Sequence, residues 1–127
     1  MMFVLGAISK KNLSGVHPDL VKIVEKAIKL SEVDFRVTEG IRSRQRQIEL
    51  VKKGASQTLA SRHITGHAVD VVALIEGQIR WDWPLYDKIA KAFKQASKEL
   101  NIPIVWGGDW KSFKDGPHFE LDRKKYP

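Results

Sequence analysis

The 127-residue chain contains no cysteine, which excludes disulfides, thiolate metal sites and cysteine nucleophiles. Its length suits one domain that can bury a core without staples. Twenty-two Lys and Arg against fifteen Asp and Glu leave a net charge of +7, which favours polyanionic surroundings such as nucleic acid, anionic lipid or bacterial cell wall without choosing among them.

Met1 to Ile8 is apolar, yet no basic region precedes it and it falls far short of the roughly 20 residues that span a bilayer. It reads as a buried first segment rather than a signal peptide. No other apolar run approaches spanning length, so a soluble protein is expected. Pro18 suits a first helical turn, and Leu20, Val21, Ile23, Val24, Ala27, Ile28 and Leu30 follow at helical spacing. Phe35 to Thr38 alternates as a short strand that Gly40 interrupts, and Ser43 to Lys53 reads as a second helix closed by Gly54. A polar loop is expected from Gly54 to Ser61.

Ala68 to Ile75 reads as a buried strand that turns at Glu76-Gly77 into Gln78 to Trp81, a hairpin. After Asp82, the residues Leu85, Ile89, Ala92, Phe93, Ala96 and Leu100 trace a third helix ending near Asn101. Ile102 to Trp106 is a short strand whose proline places it at an edge, broken by Gly107-Gly108. His118 to Leu121 alternates and puts His118 and Glu120 on one face. This mixture, without a regular βαβ rhythm, predicts an α+β domain over residues 1–127, with a mostly antiparallel sheet of about four strands flanked by three helices.

Asp70 stands inside Ala68-Val69-Asp70-Val71-Val72, where a buried carboxylate is expensive without a cationic partner. An ion pair with Arg or Lys is the ordinary account of such a residue. His63 changes it, lying seven positions upstream across a Gly66 turn, and His118 begins a second strand after Asp115-Gly116-Pro117. Two His and one Asp make the three-ligand set that leaves one position of a catalytic zinc open to water, although other divalent metals also suit it. Pairing His63 with His67 as a helical zinc motif is a poor alternative. Ile64 stands where that motif carries Glu, and Gly66 with β-branched neighbours opposes a helix. His67 is expected to line the cleft or face solvent, and His17 to be structural near the first helix N-terminus. Asp115, three residues before His118, suits general base and then general acid work, although Asp-Gly-Pro also invites an ordinary turn aspartate. Glu120 is either an outer partner of the metal site or a solvent-facing strand-end residue.

Ser61-x-His63-x-x-Gly66-x-Ala68-x-Asp70 together with Asp115-x-x-His118-Phe119-Glu120 resembles the zinc D-alanyl-D-alanine carboxypeptidase and dipeptidase (VanY-like) superfamily. Within it the chain looks most like the L-alanyl-D-glutamate endopeptidase endolysins of tailed bacteriophages. The resemblance extends to Gly15 to Leu20, to Thr38 to Ser43 followed by Arg46-Gln47, Leu50 and Gly54, and to Trp106 to Trp110. It implies a Hedgehog/DD-peptidase-like fold, Zn2+ bound by His63, Asp70 and His118, and Asp115 as the acid/base. It further implies that Arg42 holds substrate or stabilises the developing oxyanion, and that Ser61 supports the His63 loop. Relatives that remove D-alanine use Glu where this chain has Asp115, so the shorter acid favours the endopeptidase branch.

The implied activity is zinc-dependent hydrolysis of the L-alanyl-D-glutamate bond of the peptidoglycan stem peptide, leading to bacterial lysis. A D-alanyl-D-alanine carboxypeptidase with the same metal centre is the alternative enzyme. A basic cell-wall- or nucleic-acid-binding module is the non-enzymatic one, although no nucleic-acid motif is present and the basic residues are interspersed. The remaining expectations are a monomer, no nucleic-acid partner, no stable membrane insertion and no separate wall-binding domain. Such an enzyme would gather in the host cytoplasm, depend on a holin and act on the wall in the periplasm.

Overall fold

Local signals set the element boundaries in the computed structural model, which describes residues 2–54, 61–112 and 114–127. Helix α1 covers Ala7–Asn12, α2 Pro18–Leu30, α3 Arg44–Lys52 and α4 Trp83–Leu100. The strands are β1 Asp34–Glu39, β2 Ala68–Ile75, β3 Gln78–Arg80, β4 Ile104–Trp106 and β5 His118–Leu121. Pro18 opens α2 and the His17 ring caps it, Nδ1 accepting from the Asp19 amide at 3.1 Å. Ser43 caps α3 by accepting from the Arg46 amide, and Asn101 ends α4 in the left-handed region at φ 56°. Glu76 and Gly77 both take positive φ, which fits the tight turn between β2 and β3. Most of the loop expected from Gly54 to Ser61 lies outside the described residues.

All strand pairings given by the described residues are antiparallel, in the order β1-β2-β5-β4, with β3 also on β2. Strand β4 stands at the end of this order, as expected at an edge, although it begins one residue after Pro103 and so contains no proline. Alternation divides the sheet into two faces. Phe35 and Val37, Val69, Val71 and Ala73, and Phe119 and Leu121 belong to the core that also contains Leu20, Ile23, Val24 and Ala27 of α2 and Ile89, Phe93 and Ala96 of α4. Asp70, Val72, His118 and Glu120 occupy the opposite side chain positions and line the cleft.

Two expectations change. The opening segment is not buried: Met2, Val4 and Ile8 are exposed, and only Phe3 and Leu5 rest on the core. The segment also forms a fourth helix, α1, where three were expected. The reason is tertiary. Ser9 Oγ accepts from the Val37 amide at 3.0 Å and Asn12 Nδ2 donates to the Val37 carbonyl at 2.9 Å, so α1 satisfies β1 beside its irregular register at Val37/Glu39. Six residues would not hold a helix without such contacts. Among the described residues, no helix is long and apolar enough to cross a membrane.

The centre of the core is aromatic. Phe93 stacks on Phe119 with ring centroids 3.9 Å apart and meets Phe35 at 5.4 Å. Phe93→Ala should lower stability by about 3–5 kcal/mol, read as a fall in the urea midpoint with an unchanged slope.

Candidate metal centre and cleft

Antiparallel register brings the sequence-predicted ligands together. Asp70 of β2 lies directly opposite His118 of β5, so both side chains leave the same face of neighbouring strands. His63 arrives from the turn before β2. That turn is held by the Arg42 amide donating to the His63 carbonyl at 3.0 Å and the His17 amide donating to the Gly66 carbonyl at 2.9 Å. Ser61 Oγ accepts from the His63 amide at 3.2 Å, which is the support for the His63 loop that the sequence suggests. One donor atom from each of His63, Asp70 and His118 lies within 4.8 Å of the others. The two imidazoles meet nearly edge to face, with centroids 5.2 Å apart.

Hydrogen-bond acceptors set the tautomers. Nδ1 of His63 lies 2.9 Å from the Gly40 carbonyl, which can only accept, so Nδ1 carries the proton and Nε2 keeps its lone pair. Nε2 of His118 donates to Glu120 Oε1 at 2.8 Å, leaving Nδ1 toward Asp70 when the ring is neutral. Asp70 Oδ1 is 3.3 Å from His63 Nε2 and 3.5 Å from His118 Nδ1. Yet His63 Nε2 and Asp70 Oδ1 are both buried and neither makes a well-formed hydrogen bond. Two orphaned electron-pair donors converging beside a third fit a divalent cation, because a cation satisfies lone pairs that no proton reaches.

The opposing charges explain the electrostatics. Burial alone would raise Asp70, but the adjacent His118 and His63 rings outweigh it and hold the carboxyl well below the usual carboxylate range. Burial likewise opposes charge on His118, but Asp70 and Glu120 push its pKa up to about 9. Glu120 is therefore an outer partner of His118, not a solvent-facing residue: it is buried, and its carboxyl is held low by the same ring against the cost of burial.

The three ligands open into a cavity of about 660 Å³, also lined by Asp115, Arg42, Glu39, Trp81 and Trp110. Asp115 sits on the turn that leads into His118. Its amide donates to the Gly107 carbonyl at 3.0 Å, and the His118 amide donates to the Asp115 carbonyl at 3.1 Å. A Cβ on Gly107 would lie 2.3 Å from the Asp115 carbonyl oxygen, so only glycine lets the two loops pass. Burial, and then the Asp70 charge, raise the Asp115 carboxyl above its ordinary value.

Arg42 is buried and directed at the ligands. Nε bonds Glu39, Nη1 donates to Gln47 Oε1 at 2.8 Å, and Nη2 donates to Asp70 Oδ2 at 3.2 Å. Its grip on the second oxygen of Asp70 turns the first toward the histidines. His67 stands apart from the metal group and the cleft lining, bonded to Thr65 Oγ1 and facing the His17 ring at 5.4 Å.

Sequence reasoning did not assign roles to Glu39, Gln47, Arg62 or Trp110. Arg62 Nη2 donates to the Leu121 and Tyr126 carbonyls at 3.1 and 2.7 Å, with Nε 3.8 Å from Glu120, so it ties the segment after β5 to the outer partner of His118. Trp110 packs its ring 5.0 Å from that of His118. Arg62 had a signal, since it immediately precedes a candidate ligand. The others depend on contacts made only in the folded chain.

A small α+β domain with a His–Asp–His group that could hold a metal ion, beside the Asp115 carboxyl, is a constellation suited to a hydrolase. Residues 1–126 match the family model for phage L-alanyl-D-glutamate peptidase, and the chain belongs to that family of peptidases. It is 38% identical to the L-alanyl-D-glutamate peptidase of Escherichia phage T5 over 130 residues, covering 99% of this chain and 94% of that protein. It is 35% identical to the peptidoglycan L-alanyl-D-glutamate endopeptidase CwlK of Bacillus subtilis (strain 168) over 126 residues, covering 85% and 74% of the two. The crystal structure of the Serratia marcescens L-Ala D-Glu endopeptidase ChiX superposes with a TM-score of 0.93 at 52% identity, covering all of this chain and 94% of that one.

A raised folded-state value for His118 means that its protonated form adds stability that is complete below the ordinary imidazole value of 6.5 and is lost as pH climbs through about 9. Metal-free protein should therefore lose urea resistance across that window. Glu120→Gln, which removes one of the charges holding the proton, should flatten the slope.

Proposed function

We propose that the chain hydrolyses the L-alanyl-D-glutamate bond of the peptidoglycan stem peptide, with Zn2+ held by His63, Asp70 and His118 and with Asp115 as acid/base. The observation that carries this reading is the convergence of three ligand atoms within 4.8 Å at the floor of a cleft that Asp115 also lines. Bound there, zinc supplies Lewis acidity toward a carbonyl and lowers the pKa of water toward neutrality.

The protein's own groups do the rest. Asp115 takes a proton from the attacking water and returns it to the leaving amine nitrogen of D-glutamate. Its environment suits a carboxyl that must both accept and release a proton, because burial narrows the gap between its affinity and the working pH. Cation binding offsets the Asp70 charge but leaves the burial. Arg42 orients Asp70, and its guanidinium has five N–H donors, of which the described contacts engage three. We assign the remaining donors to the substrate carboxylate or the developing oxyanion, which a fixed, always-charged group stabilises without reorganising.

Wall attraction is assigned to the basic surface. Lys88, Lys91, Lys94 and Lys98 are exposed along α4, on a chain of net charge +7. Lytic activity on purified walls should fall as salt rises from about 0.05 to 0.5 M, while turnover of a small soluble peptide changes little. Salt-independent lysis would remove this assignment.

Asp115→Ala should reduce cleavage by about 10²–10⁴-fold while the protein still gains heat resistance on adding zinc. The acidic limb of the wild-type rate profile should lie above the ordinary carboxylate range, since Asp115 must be ionised to accept a proton. Mass spectrometry of digested wall should find new N-terminal D-glutamate; released D-alanine in its place would assign the chain to carboxypeptidase chemistry.

A further inference from the structure

Beside the cleft, the polypeptide leaves a strip of aromatic surface open to water. Trp81 is 62% exposed and Trp83 48%, although an indole normally covers much of its apolar area. Neither ring hangs loose. Trp81 stacks almost parallel to Tyr86, at 14° and 6.4 Å, and Tyr86 is itself buried and bonded to the hairpin through the Ala73 amide and the Arg80 carbonyl. Trp83 meets Trp106 edge to face at 6.3 Å and covers Gly116, where a Cβ would lie 3.1 Å from the indole. Trp106 in turn donates from Nε1 to the Gly116 carbonyl at 2.7 Å. Trp83 is thus fixed against the turn that carries Asp115, and Trp81 rests on the β2–β3 hairpin beside it through Tyr86.

The strip encloses a second cavity of about 190 Å³ that shares Trp81, Asp115 and Pro117 with the cleft and adds Trp83, Tyr86 and Lys114. Continuity with the cleft identifies the occupant. In the stem peptide, the L-alanine whose bond is cut is joined through a lactyl group to an amino sugar of the glycan strand. A scissile bond held beside Asp115 therefore carries that sugar about two residue lengths away, roughly 7 Å along an extended chain. A pyranose has an apolar C–H face and a polar rim. The face suits a flat indole, and the rim suits water and the Lys114 ammonium.

We propose, resting on the peptidase reading above, that Trp81 and Trp83 form a sugar subsite that holds the N-acylated muramic sugar bearing the stem peptide. The enzyme thereby discriminates in favour of stems still attached to glycan. Trp81 is the specificity-determining residue, because its ring borders both cavities; Trp83 also supports the turn of Asp115.

The test compares kcat/KM of the zinc-loaded protein on one stem peptide presented free and presented on its disaccharide. The ratio of the two values is the readout. It should favour the disaccharide-linked form by about tenfold, the effect of one well-seated aromatic contact. Trp81→Ala should bring the ratio near one, and Trp81→Phe, which keeps a flat ring, should restore most of it. Separately, the peptide-free disaccharide should shift the indole N–H resonances of Trp81 and Trp83 while leaving that of buried Trp106 in place. A wild-type ratio near one, or a ratio that Trp81→Ala leaves unchanged, overturns the subsite. So does a response of these indoles to anionic phospholipid vesicles with none to the disaccharide, which would reassign the strip to a lipid surface. Failure to cleave either substrate would instead sink the peptidase reading, and the disaccharide titration would still decide the subsite.

Discussion

The register of β2 against β5 is the constraint on which the functional half of the molecule depends. Asp70 opposite His118 places a carboxylate and an imidazole on adjacent strands at a spacing that backbone hydrogen bonds enforce, without any loop needing to be ordered for the purpose. A slip of one residue in either strand would exchange the faces of that strand, driving Asp70 or His118 into the core and turning Val69 or Phe119 toward the cleft. Such a slip combines a buried ionisable group with exposed apolar surface, so the core that stabilises the fold also selects the arrangement of the site. His63 is the member of the group that the sheet does not provide, and it is secured by a backbone bond from Arg42 and by the Ser61 hydroxyl.

Around this pair the charges are arranged in alternation. Arg42 faces Asp70, Asp70 faces two imidazoles, His118 faces Glu120, and Glu120 faces Arg62 and Arg123. Buried ions are costly singly, and a chain of opposite signs makes each the counter-ion of the next. The groups beyond the three site residues also carry geometric information: the Gly40 carbonyl and the Glu120 carboxylate set which nitrogen of His63 and His118 is protonated, and Arg42 sets which oxygen of Asp70 points inward. A His–Asp–His group held in this way is largely preorganised by the protein itself.

Much of this was legible in the sequence, and for identifiable reasons. Helices α2 and α4 bury one face, so their apolar spacing declares them; the buried strand β2 declares Asp70 by its incongruity; and alternation in β5 correctly joins His118 to Glu120. Pro103, immediately before β4, marked an edge. What could not be read depends on partners distant in the chain. Helix α1 has too few residues to show a period and owes its existence to hydrogen bonds between Ser9, Asn12 and Val37, while the apolar letters around it suggested burial that the folded chain does not give. Arg42 was recognisable through its resemblance to a family position, but its bonds to Glu39, Gln47 and Asp70 reach the end of β1, a helix and a second strand. The link from Arg62 to Tyr126 joins residues 64 positions apart, and no local pattern announces it.

The division of the sheet into a packed face and a working face has an evolutionary consequence. Along β2 and β5, Val69, Val71, Ala73, Phe119 and Leu121 answer to the core and Asp70, Val72, His118 and Glu120 to the cleft, so the fold asks different things of the two sets. Lineages of this fold can change the lining around Asp70, His118 and Glu120 without repacking Val69, Val71, Phe119 or Leu121, and can exchange core residues without disturbing the ligands. Two-residue periodicity thus acts as a partition of evolutionary freedom, leaving a 127-residue chain room to acquire new substrates while keeping one architecture.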